Sequence, residues 1–245
     1  MGCAAVAVAR AESAETAGTA VIRQALDGTL RMEYAEAEAL ILEGLPSSHP
    51  AQAYYAGTIC MNRFLDWGDT AALARAERYW AKLSPHGDPS PGYRNAAPDE
   101  VRLYRGLAGF QLSYASSLRG EHLRPATLAL VARRQLLPVD RPEASATLML
   151  YDYYRAQLLG KLPFVGEKEF PVKAFRQVAD VSPLRDLFLS SLFWVLVEKG
   201  KDKTASGEVR AENLGAALRI ADAFLERYPG NRMGREMRGS VLYWA

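Results

Sequence analysis

The chain has 245 residues, 49% of them hydrophobic and 24% charged, with a formal net charge of +2. That composition excludes intrinsic disorder, a collagen-like repeat and a small disulfide scaffold, and the length is ample for a hydrophobic core. The near-neutral charge excludes a general nucleic-acid or anionic-membrane binder, and two cysteines, Cys3 and Cys60, are too few for a disulfide framework or a four-ligand zinc site.

Residues 1–17 read as a leader or the remnant of a signal peptide. Ala9-Arg10-Ala11 fits the small-x-small rule for signal peptidase, but the apolar stretch before it is short and lacks a basic start. The expectation is a true N-terminus upstream. Val6 stands where myristoylation of Gly2 needs Ser or Thr, so that modification fails. With a truncated signal the protein is expected in the periplasm or at the outer membrane, and otherwise in the cytoplasm. Its densest apolar run, Leu187 to Val197, is far short of the ~20 residues needed to span a bilayer. At the other end, Ser240 to Ala245 reads as an uncapped amphipathic helix, so a fragment of a longer chain is expected.

Apolar residues recur at three- and four-residue spacing along the chain, and strand-like alternation is hard to find. Helices are predicted over Thr19–Met32, Ala35–Leu45, Ala51–Asp66 and Thr70–Leu83, with a Gly68-Asp69 turn between the last two. A loop dense in helix breakers, Ser84 to Gly92, follows. Asp99–Leu118 and Leu123–Leu137 form a third pair, and Glu143–Leu159 and Pro171–Val181 a fourth. Leu184–Lys199 and Ala211–Tyr228 form a fifth, joined by a charged connector over Gly200–Arg210, and a last helix begins near Arg232. Pro50, Pro98, Pro142, Pro183 and Pro229 mark the start of successive pairs, 41–48 residues apart. Proline is tolerated there because its missing N–H would be unpaired in a first turn anyway. Such a rhythm points to stacked helical hairpins.

The final pair carries the clearest motif. Leu189, Leu192 and Leu196 share a face of its first helix, Gly200 ends that helix, and Ala217 precedes Pro229 by twelve residues. In the first pair Tyr34 closes the turn, Ala37 is the small residue where helices approach, and Ile41 is the large one a turn later. On these residues the chain resembles the tetratricopeptide repeat proteins, in a degenerate bacterial form. The resemblance implies an all-α fold of stacked antiparallel helix hairpins, a right-handed solenoid of about five pairs, in a single domain over residues 18–245. Departures are plain. Most units exceed the family's repeat of about 34 residues, Pro125 stands where the small Ala belongs, and Ala221 and Phe224 reverse the large-then-small order.

Catalytic signatures are absent where they would be legible. Gly200-Lys201-Asp202-Lys203-Thr204 lacks the leading glycine of a phosphate-binding loop. His49, His86 and His122 fall in predicted turns with no second ligand at helical spacing, so no metal or cofactor is expected. Cys60, between Ile59 and Met61, reads as a buried thiol. Asp152, among Tyr151, Tyr153 and Tyr154, is the one candidate acid for a helical-toroid carbohydrate enzyme, against the plainer reading that it pairs with Arg155 or Arg105.

Tyrosines concentrate in the first helices of the pairs, which line the concave face of a hairpin stack. Tyrosine suits a binding groove, offering area and a hydroxyl with few rotamers to freeze. The predicted groove residues are Tyr104, Arg105, Tyr114, Tyr151, Tyr154 and Arg155, with the arginines as carboxylate anchors. The expected function is non-enzymatic capture of a protein or extended peptide, as a scaffold of the bacterial envelope. A structural segment of a larger chain is the other alternative.

Overall fold

Where the sequence supplies a cap, the helix starts or stops. The computed structural model describes residues 18–83, 91–93, 96–121, 123–159 and 169–244. The leader with its Ala9-Arg10-Ala11 site, Cys3, His86, His122 and most of the Ser84–Gly92 and Gly160–Phe170 connectors lie outside the described residues. Among those described, all regular structure is helical, with no strand. The helices are α1 (18–30), α2 (Tyr34–Gly44), α3 (Pro50–Trp67), α4 (Thr70–Ala81), α5 (Pro98–Leu118), α6 (Leu123–Leu136), α7 (Pro142–Leu159), α8 (Val172–Val181), α9 (Arg185–Lys201), α10 (Gly207–Arg227) and α11 (Arg232–Trp244), with a 3-10 turn at Pro91–Tyr93.

 Proline opens α3, α5 and α7, as expected of a residue that needs no partner in the first turn. Before α3, His49 Nδ1 accepts the N–H of Ala51 at 3.2 Å, and Gly68 closes the helix in the left-handed region at φ 68°. Asp69 then caps α4, its Oδ1 accepting the Ala72 N–H at 3.0 Å. The connector expected over Gly200–Arg210 is shorter in the structure. Helix α9 continues to Lys201, and α10 starts at Gly207 because Ser206 Oγ accepts the Val209 N–H at 3.3 Å.

Two units divide the chain, Met1–Gln135 and Leu136–Ala245. In the first, α3 packs against α2, α4 and α5. Gly57 lies against the indole of the fully buried Trp80, whose Nε1 donates to the Tyr54 carbonyl at 3.2 Å. A side chain at residue 57 would hold the two helices apart. Polar ties cross the same helices. Glu38 accepts from Tyr79 OH at 2.9 Å and from Arg75 at 3.3 Å, and Tyr34 OH donates to Asp66.

In the second unit, α9 packs against α8, α10 and α11, and α7 packs against α8. The core there is a run of rings, Tyr153, Phe170, Phe175 and Phe188, with successive centroids 5.2, 5.1 and 5.9 Å apart. The buried Glu143 accepts from Ser182 Oγ at 3.1 Å, and that same oxygen accepts the Leu184 N–H at 3.0 Å. This ties the start of α7 to the turn that opens α9. Gly200 faces Leu214 across the α9–α10 hairpin. Ala217, the small residue singled out in the sequence, is fully buried on α10.

Candidate functional site

The six residues expected to line a groove are divided between the units and differ in exposure. Tyr104 and Arg105 are only 6% and 7% exposed, so they belong to the interior of the first unit and do not line an open surface. The cause is local packing. Tyr104 packs tilted against Tyr54 at 5.6 Å and edge-on against Tyr55 at 5.9 Å, both buried, and edge-on against His49 at 6.5 Å. Tyr114, on the same helix α5, is exposed. In the second unit Tyr154 and Arg155 are exposed, Tyr151 and Asp152 are half-buried, and Tyr153 turns into the core. Adjacent residues on a helix point about 100° apart, so the tyrosine run on α7 is shared between core and surface.

A cleft of about 340 Å³ opens elsewhere in the second unit, between α8, α9 and α10. Leu189, Ile220, Ala223 and Phe224 give it an apolar lining, and Arg176, Arg185, Arg219 and Arg227 surround them with Asp180 and Asp186. Helical spacing explains the placement. Arg219, Ala223 and Arg227 recur every four residues along α10, and Arg176 and Asp180 do the same on α8. Asp186, in the first turn of α9, is the hub of the charged wall. Its Oδ1 accepts from Arg185 Nη1 at 3.1 Å, while its Oδ2 accepts from Tyr228 OH at 2.8 Å and pairs with Arg227 Nη1 at 2.9 Å. The Arg227 guanidinium also lies 5.1 Å from the centre of the Tyr228 ring, within cation–π range. Arg185 Nε donates to Asp180 Oδ1 at 3.0 Å.

Arg176 and Arg219 differ from the other two arginines. Both are exposed, and neither has an ion-pair or hydrogen-bond partner among the described residues. The cleft therefore combines an apolar lining, two neutralised guanidiniums and two that are uncommitted. Such a surface can hold an apolar side chain and fork a carboxylate. Sequence reasoning missed it because its four arginines come from three helices. The legible part was the α10 stripe, arginines eight residues apart with a small residue midway.

Cys60 is buried, as the sequence implied. Burial, then the charge of Glu38, pushes its thiol up to about 11, so it is protonated at neutral pH and unsuited to nucleophilic work. Among the described residues, no three His, Cys, Asp or Glu side chains gather to hold a metal ion. No described helix is long and apolar enough to cross a membrane. No family model, curated protein or solved structure matches the chain.

Proposed function

We propose that this chain is a non-enzymatic helical-repeat protein, tetratricopeptide-like in design, that binds a protein or extended peptide. The observation that carries the reading is the α8–α10 cleft, apolar in its lining and edged by two uncommitted guanidiniums. The order of packing supports the repeat design. Helix α3 packs with α4, α7 with α8 and α9 with α10, and α3 also meets α5 while α9 meets α11. Those are the first helices of successive pairs, the contact that stacked hairpins require. The bacterial envelope remains the proposed setting, with the leader residues as its sequence basis.

Selection of a displayed random-peptide library on the purified chain tests the reading. Enriched peptides are expected to bind the parent chain and to lose at least about tenfold in affinity against Ala223→Tyr, which fills the cleft from an exposed position. Helical circular dichroism of the variant should match the parent. Absence of any enrichment, or equal binding by the filled cleft, would count against it.

A further inference from the structure

Resting on the peptide-binding reading above, we infer that the occupant of the α8–α10 cleft is an acidic extended peptide. Two of its side-chain carboxylates engage Arg176 and Arg219, and an apolar side chain between them packs on Leu189, Ile220 and Phe224.

The cleft's own charges select this chemistry. Asp186 already serves Arg185, Arg227 and the Tyr228 hydroxyl, and Asp180 serves Arg185. The two remaining guanidiniums stand on different helices, α8 and α10, beside an apolar surface. A guanidinium presents its donors as a planar fork matched to a carboxylate, and desolvation by an apolar neighbour strengthens that pairing. Two separate carboxylates are the complement of two separate forks. A polyphosphate fits less well, because Asp180 and Asp186 lie in the same wall and repel a dense run of negative charge. At about 340 Å³ the cleft suits a few side chains of an extended segment. Residues two apart in such a segment face the same way, so the expected pattern is acidic, apolar, acidic at alternate positions.

The probe is a fluorescein-labelled peptide with Glu two residues before and two residues after a Leu, on the same face of the extended chain, Ser at the positions between, and its C-terminus amidated. Fluorescence anisotropy against the full chain compares it with the matching Gln and Lys peptides. The Glu peptide is expected to bind at least about tenfold tighter than either, and progressively more weakly as salt rises. Arg176→Gln and Arg219→Gln should each cost it about fivefold or more, with unchanged circular dichroism. Arg219→Glu should shift preference toward the Lys peptide, a reversal that general surface damage would not produce.

If the Gln peptide binds as tightly as the Glu peptide and Ala223→Tyr still abolishes both, the acidic preference is overturned while the peptide cleft stands. If none of these peptides binds and library selection also fails, both readings fall together. Restoration of binding only by a free C-terminal carboxylate would overturn the side-chain assignment. Tighter binding of a single-stranded oligonucleotide at the same cleft would overturn the peptide.

Discussion

Each unit joins a buried tyrosine hydroxyl to an aspartate on a neighbouring helix, Tyr34 to Asp66 in the first and Tyr228 to Asp186 in the second. Their surroundings diverge. In the first unit polar ties run between the helices, with Glu38 holding both Arg75 and Tyr79, and Trp80 hydrogen-bonded to backbone beside Gly57. In the second the core is a run of aromatic rings, and Asp186 gathers its partners along the edge of an open cleft. Similar side chains thus fasten helices in one place and edge a surface in the other. What separates the two is that the guanidinium beside Glu38 is paired, whereas the cleft at Asp186 also holds two guanidiniums without a partner among the described residues.

The glycines are where that comparison breaks most visibly. A Cβ at Gly57 would lie 2.4 Å from Trp80 Nε1, and the indole is pinned by its hydrogen bond to Tyr54. Gly57→Ala is expected to cost about 2–3 kcal/mol, the scale of an overpacked core. At Gly200 the added carbon would lie 2.6 Å from both Cγ and Cδ2 of Leu214, an aliphatic side chain that yields by changing rotamer as a whole. No hydrogen bond pins Leu214 as one pins the indole, so Gly200→Ala should cost less, about 1–2 kcal/mol. Urea unfolding of both variants checks the contrast, and equal losses would show hairpins of equal rigidity.

Effects smaller than that at Gly57 are expected at the two tyrosines. Tyr34→Phe and Tyr228→Phe each remove one hydroxyl donor to a carboxylate, a loss of about 1–2 kcal/mol measured the same way. Tyr228 should lie at the lower end of that range, because Arg185 and Arg227 still hold Asp186 when it is changed. A larger loss at Tyr228 would reverse the ranking of the two sites.

The alkaline limb sharpens the account of the first unit. Cys60 rises from 9.0 to about 11 and Tyr79 from 10.0 to about 12, each by burial first. Raised values favour the protonated, neutral forms in the folded chain. Their contribution is therefore full below about pH 9 and is lost as pH climbs toward 12. Urea midpoints across that range should fall more steeply for the parent than for a Cys60→Ala/Tyr79→Phe double variant. Least in size is the acid limb at Asp69. The Ala72 N–H, followed by Arg63, holds its carboxyl below the usual 3.8. Its contribution is present above that usual value and fades as pH falls through the lowered one, so Asp69→Asn should flatten the loss of stability in acid.

Much of the helical layout was legible in order along the chain. Pro50, Pro98 and Pro142 open helices where the sequence placed them, and Gly68-Asp69 makes the expected turn, because caps and breakers act on their immediate neighbours. The length of the α9–α10 connector was less legible. Its charges suggested an exposed loop, but Ser206 could be recognised as a cap only once α10 was seen to start beside it. The groove was harder still. Tyr104 and Tyr154 look alike in sequence, yet one is packed among buried tyrosines and the other is exposed.

By itself, then, the amino-acid order determined an all-helical chain, its turns and a periodic pairing, since helix formation and capping depend on residues a few positions apart. The tertiary structure alone decided which arginines stay uncommitted. Arg176 and Arg219 lie on different helices, and only the packing of α8 and α10 against α9 brings them to one cleft while Asp186 is claimed by Arg185, Arg227 and Tyr228. Electrostatic partnership falls off over a few ångströms in space, and spacing along the chain does not record it.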